Sequence, residues 1–598
     1  MNTPVPESGA GYPLPDLDFA TRDLVYKRFA AAFAADTVVP DALVWESTET
    51  VDNRPASWRD LRRALRRLPL KATLQLLGTI AVEIERGRHP VDAALQLRVA
   101  RRFGGATRRG RGLMRRLFES PKSVLVAEEQ VAVLAAYAIV NCEADLWPAD
   151  GDELFLEALL AYHSLKGGEL HDNRDAHASL RRTEMRSTAT DPESVPDVLA
   201  RWRNFTRWSE LPEAESSRNF LRLGEIFERH LGMGQIAWAA ATWALVAYFA
   251  QIAVTPAGHR RYDAFLDVDA YLASLTDRTQ ISRWLDQVSV DLSDVRQAFQ
   301  GLRTTSLAEL ELLMDRPLVR TPWGLCCPVH RFLPNVGGNG LLFRLGDHLE
   351  RATPGASARL RGFFGDYLET HVEQLFRAAA RKRVVQIFRE RRYGRPEMKS
   401  SDLVIVDGKR AVFIDVTATR FHQRESVVSL VDTTIERDLR RFVTDKLTQE
   451  IARCARDFRS GLLMYEGVDP DSIDDIYGLV VSPQGLPRLV GLTQMIETLV
   501  PVVPTGLSEW DYFDLNEVEA LPSVFDGALD LSQLIVDKRS DYFGRPRSLM
   551  NYMYFRRRSL ITGSRSREDI LRDPWMVDVM AQVRAWGLRA DSAPLPEP

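Results

Sequence analysis

Residues 400–420, SSDLVIVDGKRAVFIDVTATR, constrain the fold more than any other stretch of the chain. Two runs rich in β-branched and aromatic residues flank Asp407–Gly408, which predicts a tight β-hairpin. Asp402 opens the first strand. Asp415 lies near the end of the second, two residues before Thr417. Side chains alternate faces along a strand, so Asp415 and Thr417 point the same way. Two acids brought together at the ends of paired strands suit a hard divalent cation, Mg²⁺ or Mn²⁺. A carboxylate between Ile414 and Val416 in an apolar strand must meet water, a partner or an ion.

The flanking sequence supplies an ordered set of elements. A helical run includes 361–380, a strand is expected at 384–389, and the hairpin spans 402–417. A long helix follows at about 436–459, then an apolar strand, DDIYGLVVS, at 474–482. Helix, three strands, helix, strand is an α/β arrangement and not a pure bundle. Elsewhere apolar residues recur at three and four. The expected organisation is a disordered N-terminus (1–20), a helical domain (21–166), a polar linker or loop (167–200) and a second helical domain (201–315). A mixed domain (316–505) and a helical C-terminal extension (506–598) complete it. PLVRTPWGLCCPVHRFL reads as two short strands about a Pro322–Gly324 turn. The fold class is thus α+β or α/β and multidomain, with a large, mostly α-helical N-terminal region.

Length and charge narrow the function. A chain of 598 residues accommodates two to four domains. Its net charge of −4 provides no global basic field, so nucleic acid must be met by local patches. Four cysteines do not make a disulfide framework, which suits a reducing cytoplasm. The N-terminus shows no signal-peptide pattern. Residues 231–257 carry no charge and are long enough to span a bilayer. They are rich in Ala and contain Gln235, Thr242 and Gln251, which predicts a buried helix and no membrane partner.

Over about residues 350–485 the element order and the two aspartates resemble the PD-(D/E)xK, or restriction-endonuclease-like, nuclease superfamily, whose core runs αβββαβ. The resemblance implies that Asp402 is the first acid of the motif, with Ser401 in place of its proline, and Asp415 the second. It implies a metal-binding glutamate on the first helix, GDYLETHVEQLF. Glu369 holds that position, and Glu373 is the substitute one turn later. These carboxylates, with a backbone carbonyl such as that of Val416, would bind one or two Mg²⁺ or Mn²⁺ ions. The implied reaction is hydrolysis of DNA, or RNA, phosphodiesters, and such domains commonly serve restriction, repair or defence against mobile elements.

Thr417 stands where the family carries a lysine that orients or activates the attacking water. A threonine has no positive charge and is a poor proton carrier near neutral pH. Two outcomes follow. In one, a lysine from elsewhere fills the gap. Lys446, in DLRRFVTDKLTQEIARCARDF, is best placed, and Gln449 accompanies it because family helices often carry such a pair. Lys446 equally reads as a surface partner of Glu450, four residues on. Lys399 and Lys409 are weaker options, and Arg420 is positioned to contact a phosphate. In the other outcome the domain is a catalytically inactive scaffold. It would then bind nucleic acid, or a protein partner through the helical N-terminal region.

Other signals are weaker. RVARRFGGATRRGRGLMRRL (98–117) contains Arg108, Arg109 and Arg111 and can meet a phosphate backbone without reading sequence. It reads equally as a solvated face. The same holds for WRDLRRALRRL (58–68) and YFRRRSLITGSRSR (554–567). Cys326, Cys327 and His330 lack the second ligand pair of a zinc site. There is no phosphate-binding G-x-x-x-x-G-K-[ST] loop and no G-x-S-x-G elbow.

Overall fold

The computed structural model describes residues 44–85, 93–105, 107–119, 123–171, 195–250, 252–254, 260–418, 432–483, 490–500, 502–540, 549, 552 and 574–586. Its central feature is a mixed sheet of five strands. Helix α1 (Ala356–Ala379) precedes β1 (Gln386–Arg389), β2 (Leu403–Asp407) and β3 (Arg410–Val416). A long helix, α2, then runs from Asp432–Leu439 through two π-helical stretches, Arg440–Thr444 and Lys446–Ile451, into Ala452–Arg459. Strands β4 (Asp475–Ser482) and β5 (Glu509–Asp514) complete the sheet, in spatial order β5-β4-β3-β2-β1.

Strands β1, β2 and β3 form an antiparallel meander, with Leu403 opposite Ile414 and Asp407 opposite Arg410. The tight turn between β2 and β3 works because Gly408 adopts φ +59°. Strand β4 is parallel to β3, which requires the crossover that α2 supplies. Alternation divides the strands between two cores. Leu403, Ile405, Val412 and Ile414 share one with Leu368, Val372 and Phe376 of α1. Val404, Val406, Ala411 and Phe413 share the other with Val443, Leu447, Ile451 and Phe458 of α2. The two helices therefore cover opposite faces of the sheet.

The N-terminal half is helical and joins the first of these cores. Phe205 and Trp208, on the helix Val195–Trp208, stack within 5.1 and 4.9 Å of Tyr367 and Phe363 on α1. Arg201 on the same helix pairs at 2.9 Å with Glu519 on α3 (Leu515–Phe525). The helix Gly151–His171 runs into the segment expected to be a linker, and residues 172–194 lie outside the described set.

Two expectations need correction. The region after residue 505 is not wholly helical, because EWDYFD forms β5 parallel to β4. Its alternation sends Trp510 and Tyr512 to the α2-side core and Phe513 to the other. Within 201–315, Ile252–Val254 pairs with Arg260–Tyr262, and Ser289–Asp291 joins the hairpin Leu318–Thr321 and Gly324–Cys326. The uncharged run at 231–257 contributes the helix Gln235–Phe249, buried against Trp284 through Trp238 (ring centroids 6.1 Å apart). Among the described residues no helix is long and apolar enough to cross a membrane.

Candidate active site

The start of β2 and the end of β3 lock together through their aspartates. The Val416 amide donates to Asp402 Oδ2 at 2.7 Å, and the Asp402 amide donates to Asp415 Oδ1 at 3.3 Å. Asp415 is 2% exposed, yet its Oδ2 has no hydrogen-bond partner. A buried carboxylate oxygen without a partner carries the full desolvation cost of that group. Burial raises the Asp415 pKa well above the usual carboxylate range, and the adjacent Asp402 adds to it. Burial also pushes Asp402 up to about 6, against the pull of the Val416 amide and of Lys446.

Glu369, on α1, joins this cluster. Its pKa rises to about 8, first through burial and then through the charges of Asp402, Asp366 and Glu390. Glu373, one turn later, does not join it. That side chain is buried in ion pairs with Arg377 (2.8 Å) and with Arg389 at the end of β1. Geometry thus separates two glutamates that the helical pattern left equivalent.

On the other face of the sheet α2 brings Lys446 over the aspartates. Burial lowers its pKa, but Asp415, Glu450 and Asp402 outweigh this and raise it, so the ammonium stays charged. The Lys446 Nζ donates to Glu450 Oε2 at 2.7 Å. Lys446 is thus the partner of Glu450 that its four-residue spacing predicts, and its charge also acts on both aspartates. Gln449 stands differently. It is exposed and donates to Asp445 at 3.1 Å. A π-helical turn takes more residues than an α-helical one, so three positions rotate a side chain less far and leave it well short of completing the turn. That rotation turns Gln449 away from Lys446.

Thr417 is buried, and its amide donates to the Val481 carbonyl at 2.8 Å, prolonging the β3–β4 pairing. Lys399 pairs with Glu390 at 2.8 Å and acts electrostatically on Glu369 and Asp402. Lys409 pairs with Asp474 at 3.2 Å, in the β2–β3 turn, far from the acids. Arg420 and residues 554–567 lie outside the described residues. Among the described residues no group of three or more His, Cys, Asp or Glu side chains is already gathered to hold a metal ion.

Two members of the cluster escaped sequence reading as site residues. Glu390 reaches Asp402 because its amide donates to the Asp402 carbonyl at 2.8 Å, a contact made only by tertiary pairing of β1 with β2. Glu450 carried a signal, its four-residue spacing from Lys446, but not its proximity to the aspartates.

The arginine-rich runs are largely engaged within the chain. Arg98, Arg102, Arg109, Arg115 and Arg116 form ion pairs with Glu83, Asp152, Asp52, Glu119 and Glu46. Arg108 and Arg111 are exposed on the helix Arg108–Glu119. Arg63, Arg66 and Arg67 pair with Asp60, Glu143 and Asp150. Cys326 and Cys327 are buried, and His330 turns to the Tyr262 hydroxyl at 2.8 Å, so no cysteine knuckle forms. No family model matches the chain, and no curated protein or solved structure matches it significantly.

Proposed function

We propose that the sheet domain is a metal-dependent nuclease of the restriction-endonuclease-like type that hydrolyses DNA phosphodiester bonds. The observation that carries this reading is Asp415 Oδ2: a buried carboxylate oxygen with no partner, beside a second acid and under a lysine. Such a group is costly unless a cation meets it. The residues fit a hard ion, being all-oxygen donors whose pKa values are raised first by burial. Asp402, Asp415 and Glu369 would hold Mg²⁺ or Mn²⁺. Such an ion, when bound, lowers the pKa of its water and offsets charge developing on the phosphate. The order α1-β1-β2-β3-α2-β4 supports the fold assignment.

Lys446 takes the role vacated at Thr417, with one refinement. Its raised pKa keeps it an ammonium, so it serves by donating a hydrogen bond and by electrostatics, not as a general base. The second reading, an inactive scaffold that binds nucleic acid or a protein partner, is favoured by one observation: Lys446 Nζ is held by Glu450. Purified protein would be incubated with linear, supercoiled and single-stranded DNA and with RNA in Mg²⁺ or Mn²⁺, beside an Asp415→Ala control. Cleavage by wild type and not by the control is expected. Equal, negligible cleavage by both sinks the enzyme reading and leaves the scaffold.

A further inference from the structure

Lys446 is the cation whose charge acts on both aspartates, and a buried carboxylate attracts an ammonium strongly. The pairing that results is nevertheless not with Asp415. The Nζ donates to Glu450 Oε2 at 2.7 Å, while Asp415 Oδ2 stays without a partner. Glu450 lies nearer the rim of the site, its side chain 43% exposed against 23% for Lys446, so it draws the ammonium outward. Both residues sit on the π-helical turn Lys446–Ile451. Four positions on such a turn bring the second side chain almost back over the first, which favours the contact.

We propose that Glu450 is a positioning residue that holds the Lys446 ammonium off Asp415 and so keeps Asp415 Oδ2 open to a divalent cation. This rests on the metal-site reading above. Without the Glu450 carboxylate, the strongest remaining attraction for Lys446 is the Asp415–Asp402 pair. A lysine seated there would occupy the place of the cation.

The test is Mn²⁺ binding to the full chain, read from the electron paramagnetic resonance signal of free Mn²⁺. It compares wild type, Glu450→Gln, Glu450→Ala, Lys446→Met and Glu450→Gln/Lys446→Met, with Asp415→Asn marking the site and circular dichroism confirming that each variant is folded. Both Glu450 variants are expected to bind roughly 10–100-fold more weakly, the range for losing a residue that orients a ligand. Lys446→Met should bind no more weakly than wild type, and the double variant should return to the Lys446→Met level. A rescue of that kind is not produced by a general structural lesion. Wild-type affinity in Glu450→Gln overturns the proposal. So does a double variant as weak as Glu450→Gln, which would make Glu450 itself a ligand. Wild type without Asp415-dependent Mn²⁺ binding overturns this proposal and the metal-site reading together. The predicted coupling without nucleic-acid cleavage supports the positioning role and overturns only the hydrolase reading.

Discussion

Replacing Asp415 by Asn should stabilise the metal-free protein at pH 8. The carboxylate is 2% exposed, its Oδ2 lacks a partner, and Asp402 stands beside it. An unsatisfied buried polar group costs about 1–3 kcal/mol, and more when charged. The neighbouring Asp402 gives a second scale. Its displacement from 3.8 to about 6 corresponds to about 3 kcal/mol at about 1.4 kcal/mol per pKa unit. Because the two acids share one field, the expected gain for Asp415→Asn is about 2 kcal/mol. The sign follows from linkage. An acid whose folded pKa is raised contributes its full stability below its unfolded value of about 3.9 and loses it as pH rises through the folded value. Asparagine does not titrate, so the variant's advantage should be small near pH 4 and grow toward pH 8. Urea unfolding in EDTA at both pH values measures this difference. Added Mn²⁺ should then stabilise wild type and not the variant. An Asn variant that is equally destabilised at both pH values would refute the reasoning, because Asp415 would then be a structural partner and not an uncompensated charge.

Three further outcomes follow from the same geometry. Lys446→Met should lower kcat for DNA cleavage by about 10²–10³-fold, the range for losing one preorganised donor, and Thr417→Lys in that background should recover part of it. Wild-type rates in Lys446→Met would remove Lys446 from the reaction. Arg201→Met should cost about 1–3 kcal/mol at pH 7 by removing the closer charged partner of the half-buried Glu519 carboxylate, which then keeps its 3.2 Å contact with His371. Burial raises the Glu519 pKa, but Arg201 and His371 bring it down to about 2. Its contribution is therefore present above the unfolded value of about 4.3 and is lost as pH falls toward 2, a trend that acid titration of the unfolding midpoint checks. Lys538, on α4 (Leu531–Ser540), pairs with Asp511 of β5 at 2.8 Å, both side chains 1% exposed. Lys538→Met alone should cost about 3–5 kcal/mol, and Lys538→Met with Asp511→Leu should recover most of it, as read by denaturant unfolding.

The local features of the sheet region were legible because they rest on near neighbours. Alternation over 403–407 and 410–416 and the glycine turn between them specify a hairpin. Once the hairpin forms, its geometry brings Asp402 and Asp415 together. The three- and four-residue spacing of apolar positions likewise marks α1 and α2. Strand β5 was missed because a six-residue run is short, and its partner β4 lies some thirty residues earlier.

What the chain's order alone determined, then, was the succession of elements and the pairing of two acids on one hairpin. Only the tertiary structure decided which glutamate of α1 reaches them, since Arg389 and Arg377 claim Glu373 while Glu369 stays with Asp402. It also decided that Gln449 turns outward, that the Lys446–Glu450 pair, legible from its four-residue spacing, acts on the aspartates, and that most arginines of 98–117 answer carboxylates of their own chain. The physical reason is common to all of these. Periodicity and turn chemistry act between residues a few positions apart. The partner of a charge is selected by whichever opposite charge the packed chain brings within reach, often from far along the sequence.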